Sequence, residues 1–143
     1  MANIVPFSFK GELASGTHNF ASGGNTFKLA LYTANPYTTS STTKVTTNEV
    51  SSAGGSNYTA GGNTLTGQSV TATTATTAID FADTSWASAT FTAAFAAIYN
   101  TSSSDKLVVV LDFGGNKTAT NGTFTIAFPD PATPSNAIIS ITS

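Results

Sequence analysis

The chain has 143 residues, no cysteine, five lysines, seven acidic residues and a formal net charge of −2. That length holds a single domain whose core can stand without staples, and the missing cysteines exclude disulfides, thiolate metal sites and cysteine nucleophiles. Only 8% of residues are charged, about a third of the share usual in soluble domains, and 27 threonines with 17 serines supply the polar surface instead.

In chain order, the amino terminus has neither a positive n-region nor an apolar stretch, so no signal peptide is read. No apolar run reaches membrane-spanning length. The expectation is a protein made in the cytoplasm, with no membrane partner. Residues 4–9 read as a short edge strand marked by Pro6, and residues 10–14 as one helical turn before Gly16. Residues 1–20 are accordingly expected to form an arm on a β-sandwich domain of residues 21–143.

A strand follows, with Phe27, Leu29 and Leu31 on one face and Lys28, Ala30 and Tyr32 on the other. Residues 35–55 are a Thr, Ser, Asn and Gly excursion in which Tyr37, Val45 and Val50 are the bulky apolar residues. It is long for a loop inside a compact domain, so it is expected to be functional or ordered by a partner. Ile4, Val5 and Phe7 of the arm, with Tyr37, Lys44, Val45 and Glu49 of the excursion, are the expected partner contacts.

Residues 65–72 and 74–81 are Thr-alternating strand candidates, and residues 80–85 read as a turn because Asp and Ser side chains bond their own backbone. Residues 89–99 place Phe91, Ala93, Phe95, Ala97 and Tyr99 on one face of a long strand. Helix is the competing reading of this Ala-rich stretch, and the alternating threonines favour strand. After a polar turn at residues 100–105, the aliphatic run 106–113 predicts a strand buried on both faces. Gly114-Gly115-Asn116 signals a tight turn; Phe124, Ile126 and Phe128 then share one face. Pro129, Pro131 and Pro134 interrupt before a closing strand at 138–142. About eight short strands and no long helix predict an all-β, single-domain antiparallel β-sandwich, with a jelly roll as its variant. Phe27, Leu29, Leu31, Phe91, Phe95, Val109, Leu111, Phe124 and Ile126 are its expected core.

The residues capable of chemistry do not assemble into a catalytic pattern. His18, between Thr17 and Asn19, reads as an exposed loop histidine. Asp80, Asp83 and Asp112 offer carboxylates for a calcium ion only if the strands bring them together, and turn capping explains them more simply. Asp80 with Glu49 lacks any sign of the cleft a glycosidase pair needs. Trp86 and the tyrosines Tyr32, Tyr37, Tyr58 and Tyr99 would stack on sugars if several shared a surface; Trp86, beside a turn, reads instead as a structural ring. Gly54-Gly55 and Gly61-Gly62 read as turns rather than phosphate loops. The sequons at Asn57, Asn100, Asn116 and Asn121 are what a Thr-rich chain yields by chance. Lys10, Lys28, Lys44, Lys106 and Lys117 are scattered, and the chain has no arginine. A positive stripe for nucleic acid is therefore not expected. No enzyme activity, cofactor or metal is expected.

One stretch carries a resemblance: Phe27-Lys28-Leu29-Ala30-Leu31-Tyr32-Thr33, the polar excursion, Asn48-Glu49-Val50, then Asn57-Tyr58-Thr59-Ala60-Gly61-Gly62. Downstream come Asp80, Asp83 and Trp86, and the run Phe95-Ala96-Ala97-Ile98-Tyr99-Asn100. Over roughly residues 27–113 this resembles a family of small tailed-phage virion proteins. It departs from the family pattern at Ala94-Phe95-Ala96, where an arginine is expected. The resemblance implies a non-enzymatic virion component, foremost a capsid decoration or cement subunit stabilising the head. Its partners would be the major capsid protein or other virion proteins, with copies of itself as a homo-oligomer. A tail or head–tail connector component is the alternative within that class. From a different class, the hydroxyl-rich surface also fits an extracellular adhesin or carbohydrate-binding module.

Overall fold

The computed structural model describes residues 3–130 and 137–142; the interruption expected at Pro131 and Pro134 lies outside them. Among the described residues one α-helix, α1 (Phe7–Ala14), precedes seven strands: β1 (Phe27–Tyr32), β2 (Asn63–Thr64), β3 (Ser69–Ala72), β4 (Thr76–Asp80), β5 (Thr84–Asn100), β6 (Lys106–Ile126) and β7 (Ile139–Thr142). They form two antiparallel sheets, one ordered β2-β1-β5-β6 and the other β3-β4-β7. The chain is an all-β sandwich, its sheets of four and three strands.

β1 carries apolar side chains on both faces, so both need cover. Phe27, Leu29 and Leu31 enter the main core with Phe20, Phe81 and Ile98. Each such buried side chain contributes roughly 1.5–3 kcal/mol. Ala30 and Tyr32 point the other way into a smaller core with Tyr37, Ala97, Tyr99, Leu107 and Val110. The 35–55 excursion covers that second face. Its backbone is tied down where Val50 N–H reaches the Leu31 carbonyl, Lys44 N–H the Asp105 carbonyl and Leu107 N–H the Thr42 carbonyl, each at 2.9 Å. The segment expected to be functional or ordered by a partner takes its order from its own domain.

β5 and β6 form a long hairpin around a 3₁₀ turn, Thr101–Ser103, with Ser104 and Asp105 both at positive φ. The turn predicted at Gly114-Gly115-Asn116 does not end a strand. Ala93 pairs with Lys117 and Phe95 with Asp112, so two steps along β5 cover five along β6. Gly114 (φ 72°) and Gly115 (φ 143°) absorb the excess as a bulge, so the strand expected at 106–113 and the alternating stretch that holds Phe124 and Ile126 are one strand. A smaller irregularity sets Ile98 opposite Val109 but Tyr99 opposite Leu107. Val108 is the extra residue, and Val108 and Val109 both face the main core while Leu107 and Val110 face the second. The unbroken aliphatic run follows from that arrangement.

Of the expected core, Phe27, Leu29, Leu31, Phe91, Val109 and Phe124 are buried, and Leu111 and Ile126 pack partly buried against them. Phe95 differs. Across the shift between Ala93 and Phe95 the buried face changes, and Phe95 packs on the second core instead.

The amino-terminal strand is also corrected. Ile4 makes a single bridge to Val110, and from Phe7 the chain is helical. The helix closes in a Schellman motif: Gly16, at φ 76°, donates to the Leu13 carbonyl (3.2 Å) and Thr17 to the Glu12 carbonyl (2.8 Å). That reversal folds residues 17–20 back beneath α1. Phe9, His18 and Phe20 are buried, and Phe20 stacks on Phe27 with ring centroids 4.5 Å apart. As far as it is described, the segment expected as an arm packs into the domain.

Candidate interaction surface

The residues expected to touch partners divide into two groups. Val5, Phe7 and Val45 are exposed, at 46%, 70% and 36%, and Ile4 is half-buried beneath its bridge to Val110. Tyr37, Lys44 and Glu49 are turned inward. Tyr37 is buried, and the side chains of Lys44 and Glu49 are only 11% and 7% exposed. These three serve the domain's own interior.

Glu49 is the centre of that interior network. One carboxylate oxygen accepts from Lys44 Nζ at 2.6 Å; the other accepts from the Tyr58 hydroxyl at 2.8 Å and from Gly61 N–H at 2.5 Å. Tyr99 donates to the Gly61 carbonyl at 2.6 Å, and Lys44 Nζ lies 5.9 Å from the Tyr99 ring centroid. The Tyr32 hydroxyl meets that of Tyr37 at 2.7 Å and the Val45 carbonyl at 2.8 Å. All four tyrosines of the chain are thus buried in one region around a single carboxylate. The network clamps the excursion to β1 and β5, and no reactive group in it faces solvent.

Burial pushes these phenols up. Tyr99 reaches about 12, through burial first and then the charges of Asp105 and Glu49. Burial likewise raises Tyr32, Tyr37 and Tyr58, with Glu49 adding to each. A folded value above the unfolded one stabilises the fold below pH 10, and the effect is lost as pH rises through the folded value. The expected result is a cooperative loss of circular dichroism above about pH 10, with phenolate absorbance rising in the same step. Gradual ionisation of any tyrosine with the sandwich intact below about pH 11 would contradict the sealed network.

The remaining candidates stand apart. Asp112 accepts from Gly114 N–H at 2.8 Å and so caps a local turn, whereas Asp83 accepts from Phe128 N–H at 2.8 Å and ties the start of β5 to the segment that follows β6. Burial, together with Asp130 and Asp83, holds the Asp80 carboxyl above its usual range despite a bond from Phe81 N–H. Among the described residues no three His, Asp or Glu side chains gather where they would hold a metal ion. Trp86 is buried against Tyr58, Phe91 and Phe124. The aromatic platform considered for sugar stacking is therefore interior. His18 is not an exposed loop residue: it is buried between Glu12 and Asn100. Sequence reasoning missed this because nothing local to His18 signals either neighbour, although Gly16 as a helix terminator announces the chain reversal.

What faces solvent on the far half of the β5–β6 hairpin is a band of hydroxyls. Ser85, Ser88, Thr90, Thr118, Thr120, Thr123 and Thr125 are exposed, while Trp86, Ala89, Phe91, Ala119 and Phe124 alternate inward. Lys117 is the one charged residue in 84–93 and 117–126. Cross-strand pairing sets Ser85 opposite Thr125 and Thr92 opposite Thr118, the latter hydroxyls 2.7 Å apart. A groove of about 750 Å³ borders the hairpin, lined by Leu111, Phe113, Phe124, Ile126, Phe128 and Ile138 among others. Such a surface can form hydrogen bonds and bury hydrocarbon against a second surface.

No family model matches the chain, and no curated protein or solved structure shows significant similarity to it. The class defined by fold and surface is an all-β sandwich with a nearly uncharged, hydroxyl-bearing hairpin face.

Proposed function

We propose that this chain is a non-enzymatic structural subunit of a tailed-phage particle, made in the host cytoplasm and assembled onto the virion head as a decoration or cement protein. The observation that carries the reading is the outer face of the β5–β6 hairpin. Threonine and serine can hydrogen-bond across an interface without the several kcal/mol needed to desolvate a buried ion. Neighbouring copies bearing such a face do not repel one another, which suits close packing on a capsid lattice. The resemblance of residues 27–113 to small virion proteins supports the same reading. Its partners are the major capsid protein or other virion proteins, with further copies of this chain. A tail or connector position is distinguished by whether the protein follows heads or tails when particles are taken apart.

The test is cosedimentation of purified protein with particles from a phage deleted for its gene. Attachment should persist from low salt to about 1 M, where the Debye length is ~3 Å, since little of the affinity is electrostatic. A Thr120→Asp/Thr125→Asp variant should keep its circular dichroism and bind at least about tenfold more weakly, because each carboxylate must be desolvated. Absence of binding, or release by salt, would overturn the reading.

A further inference from the structure

The Schellman reversal after α1 brings His18 under Glu12, and the end of β5 brings Asn100 to the other edge of the imidazole. His18 Nε2 lies 2.9 Å from Glu12 Oε2, and His18 Nδ1 lies 3.0 Å from Asn100 Nδ2. Phe9, Phe20 and Phe27 surround the ring, with centroids 5.3, 6.0 and 6.4 Å away.

Two backbone donors settle which atoms of this network carry protons. Ser102 N–H donates to Asn100 Oδ1 at 3.0 Å, so the amide oxygen faces the 3₁₀ turn and Nδ2 faces the histidine. Asn19 N–H donates to Asn25 Oδ1 at 2.8 Å, and that same oxygen accepts from Asn100 Nδ2 at 3.0 Å. Turning the Asn100 amide over would set its nitrogen against Ser102 N–H and its oxygen against Asn25 Oδ1. The amide is held from both sides, so His18 Nδ1 is an acceptor and Nε2–H donates to Glu12. The imidazole is neutral in this arrangement.

Protonation has one place to go, Nδ1, where the new N–H would confront the N–H of Asn100. The charged groups facing the ring are Glu12, from α1, and through its other oxygen Lys106, from β6, at 2.9 Å. β1 presents the Phe27 ring, and the loop the Phe20 ring and the Asn25 amide. Burial raises the Glu12 carboxyl, but hydrogen bonds from Lys106 and His18 outweigh it and hold the group below its usual value. Lys106 pairs with Glu12 through its other oxygen, so that charge has a partner besides the imidazole.

We propose that His18 and Asn100 form a proton-operated latch: protonating the imidazole displaces the Asn100 amide and loosens residues 17–25 at the β5–β6 turn. The parts released together are the cap on the 3₁₀ turn, the Asn100–Asn25 bond and the bond from Ser103 to the Thr17 carbonyl, while Thr26 stays tied to Thr101 and Ser102 through its backbone. Phe20, the loop's member of the main core, is held by packing on Phe9, Phe27 and Phe81 rather than by these bonds.

The experiment is nitrogen-resolved NMR of His18 with amide hydrogen exchange, from roughly pH 7.5 to about pH 5. At the upper end Nδ1 should be bare and Nε2 protonated. On acidification, protection factors at the Asn19 and Ser102 amides should fall about tenfold, the worth of one hydrogen bond, while Leu31 is unaffected. His18→Gln carries an acceptor and a donor but does not titrate, so it should keep its protection across the range. The wild-type measurement stands by itself if that variant does not fold. A protonated Nδ1 at neutral pH, or unchanged Asn19 and Ser102 protection as His18 titrates, would overturn the latch. Equal loss of protection in His18→Gln would do the same.

Discussion

Replacing Glu49 by alanine should destabilise the domain by about 3–5 kcal/mol, because it leaves a buried ammonium with no counter-charge. Lys44 would lose its 2.6 Å partner, and the Tyr58 hydroxyl and Gly61 N–H would lose their acceptor. The excursion is joined to β1 and β5 through these groups, so it should loosen first. Lys44→Met should be milder, since the carboxylate keeps two of its donors. The double variant should recover part of the loss, as removal of both charges from a buried pair often does. Urea unfolding of the four proteins measures the coupling. A Glu49→Ala cost below about 1 kcal/mol would mean that the network holds nothing together.

Gly62→Ala should be at least as damaging, for a reason of backbone rather than charge. Gly62 has φ 76°, and a Cβ there would lie 1.8 Å from the Leu29 carbonyl oxygen and 2.6 Å from its carbon. Leu29 is fully buried in β1 and pairs with Asn63, so the strand cannot retreat. The expected cost exceeds about 4 kcal/mol, the range reserved for severe steric change. Gly54→Ala is the control. Its φ of 69° is similar, but a Cβ there meets nothing within 4 Å. It should cost only the roughly 1–2 kcal/mol of a left-handed alanine. Equal effects at the two positions would show that conformation alone, and not the approach to Leu29, governs Gly62.

The local pattern of this chain was enough to determine its class. Alternation at Phe27, Leu29 and Leu31, and the aliphatic run 107–111, set strands at β1 and the first half of β6 because strand side chains alternate faces irrespective of partner. The near-absence of charge and the abundance of threonine likewise determined the kind of surface the sandwich presents. Pairing was another matter. That Gly114 and Gly115 make a bulge within β6 rather than a hairpin turn depends on β5 running alongside to continue the ladder. A Gly-Gly pair allows either outcome, and only the neighbouring strand selects one.

The polar interior was the least legible part. Glu49 meets Tyr58 and Gly61 within a short span of chain, but Tyr99 and Asn100 come from a distant strand, and nothing in residues 35–55 indicates that their polar side chains will face inward. Composition marks such a segment as solvated; tertiary structure makes it a cover for the second face of β1 and β5, where Ala30, Tyr32, Ala97 and Tyr99 must leave water. His18 follows the same logic. Its neighbours in sequence are polar, yet the reversal at Gly16 carries it under α1 among Phe9, Phe20 and Phe27. Periodicity reports which side chains leave water along one strand. Which polar groups go with them is decided by the elements that close over that strand, because a buried donor or acceptor is tolerated only where folding supplies its partner.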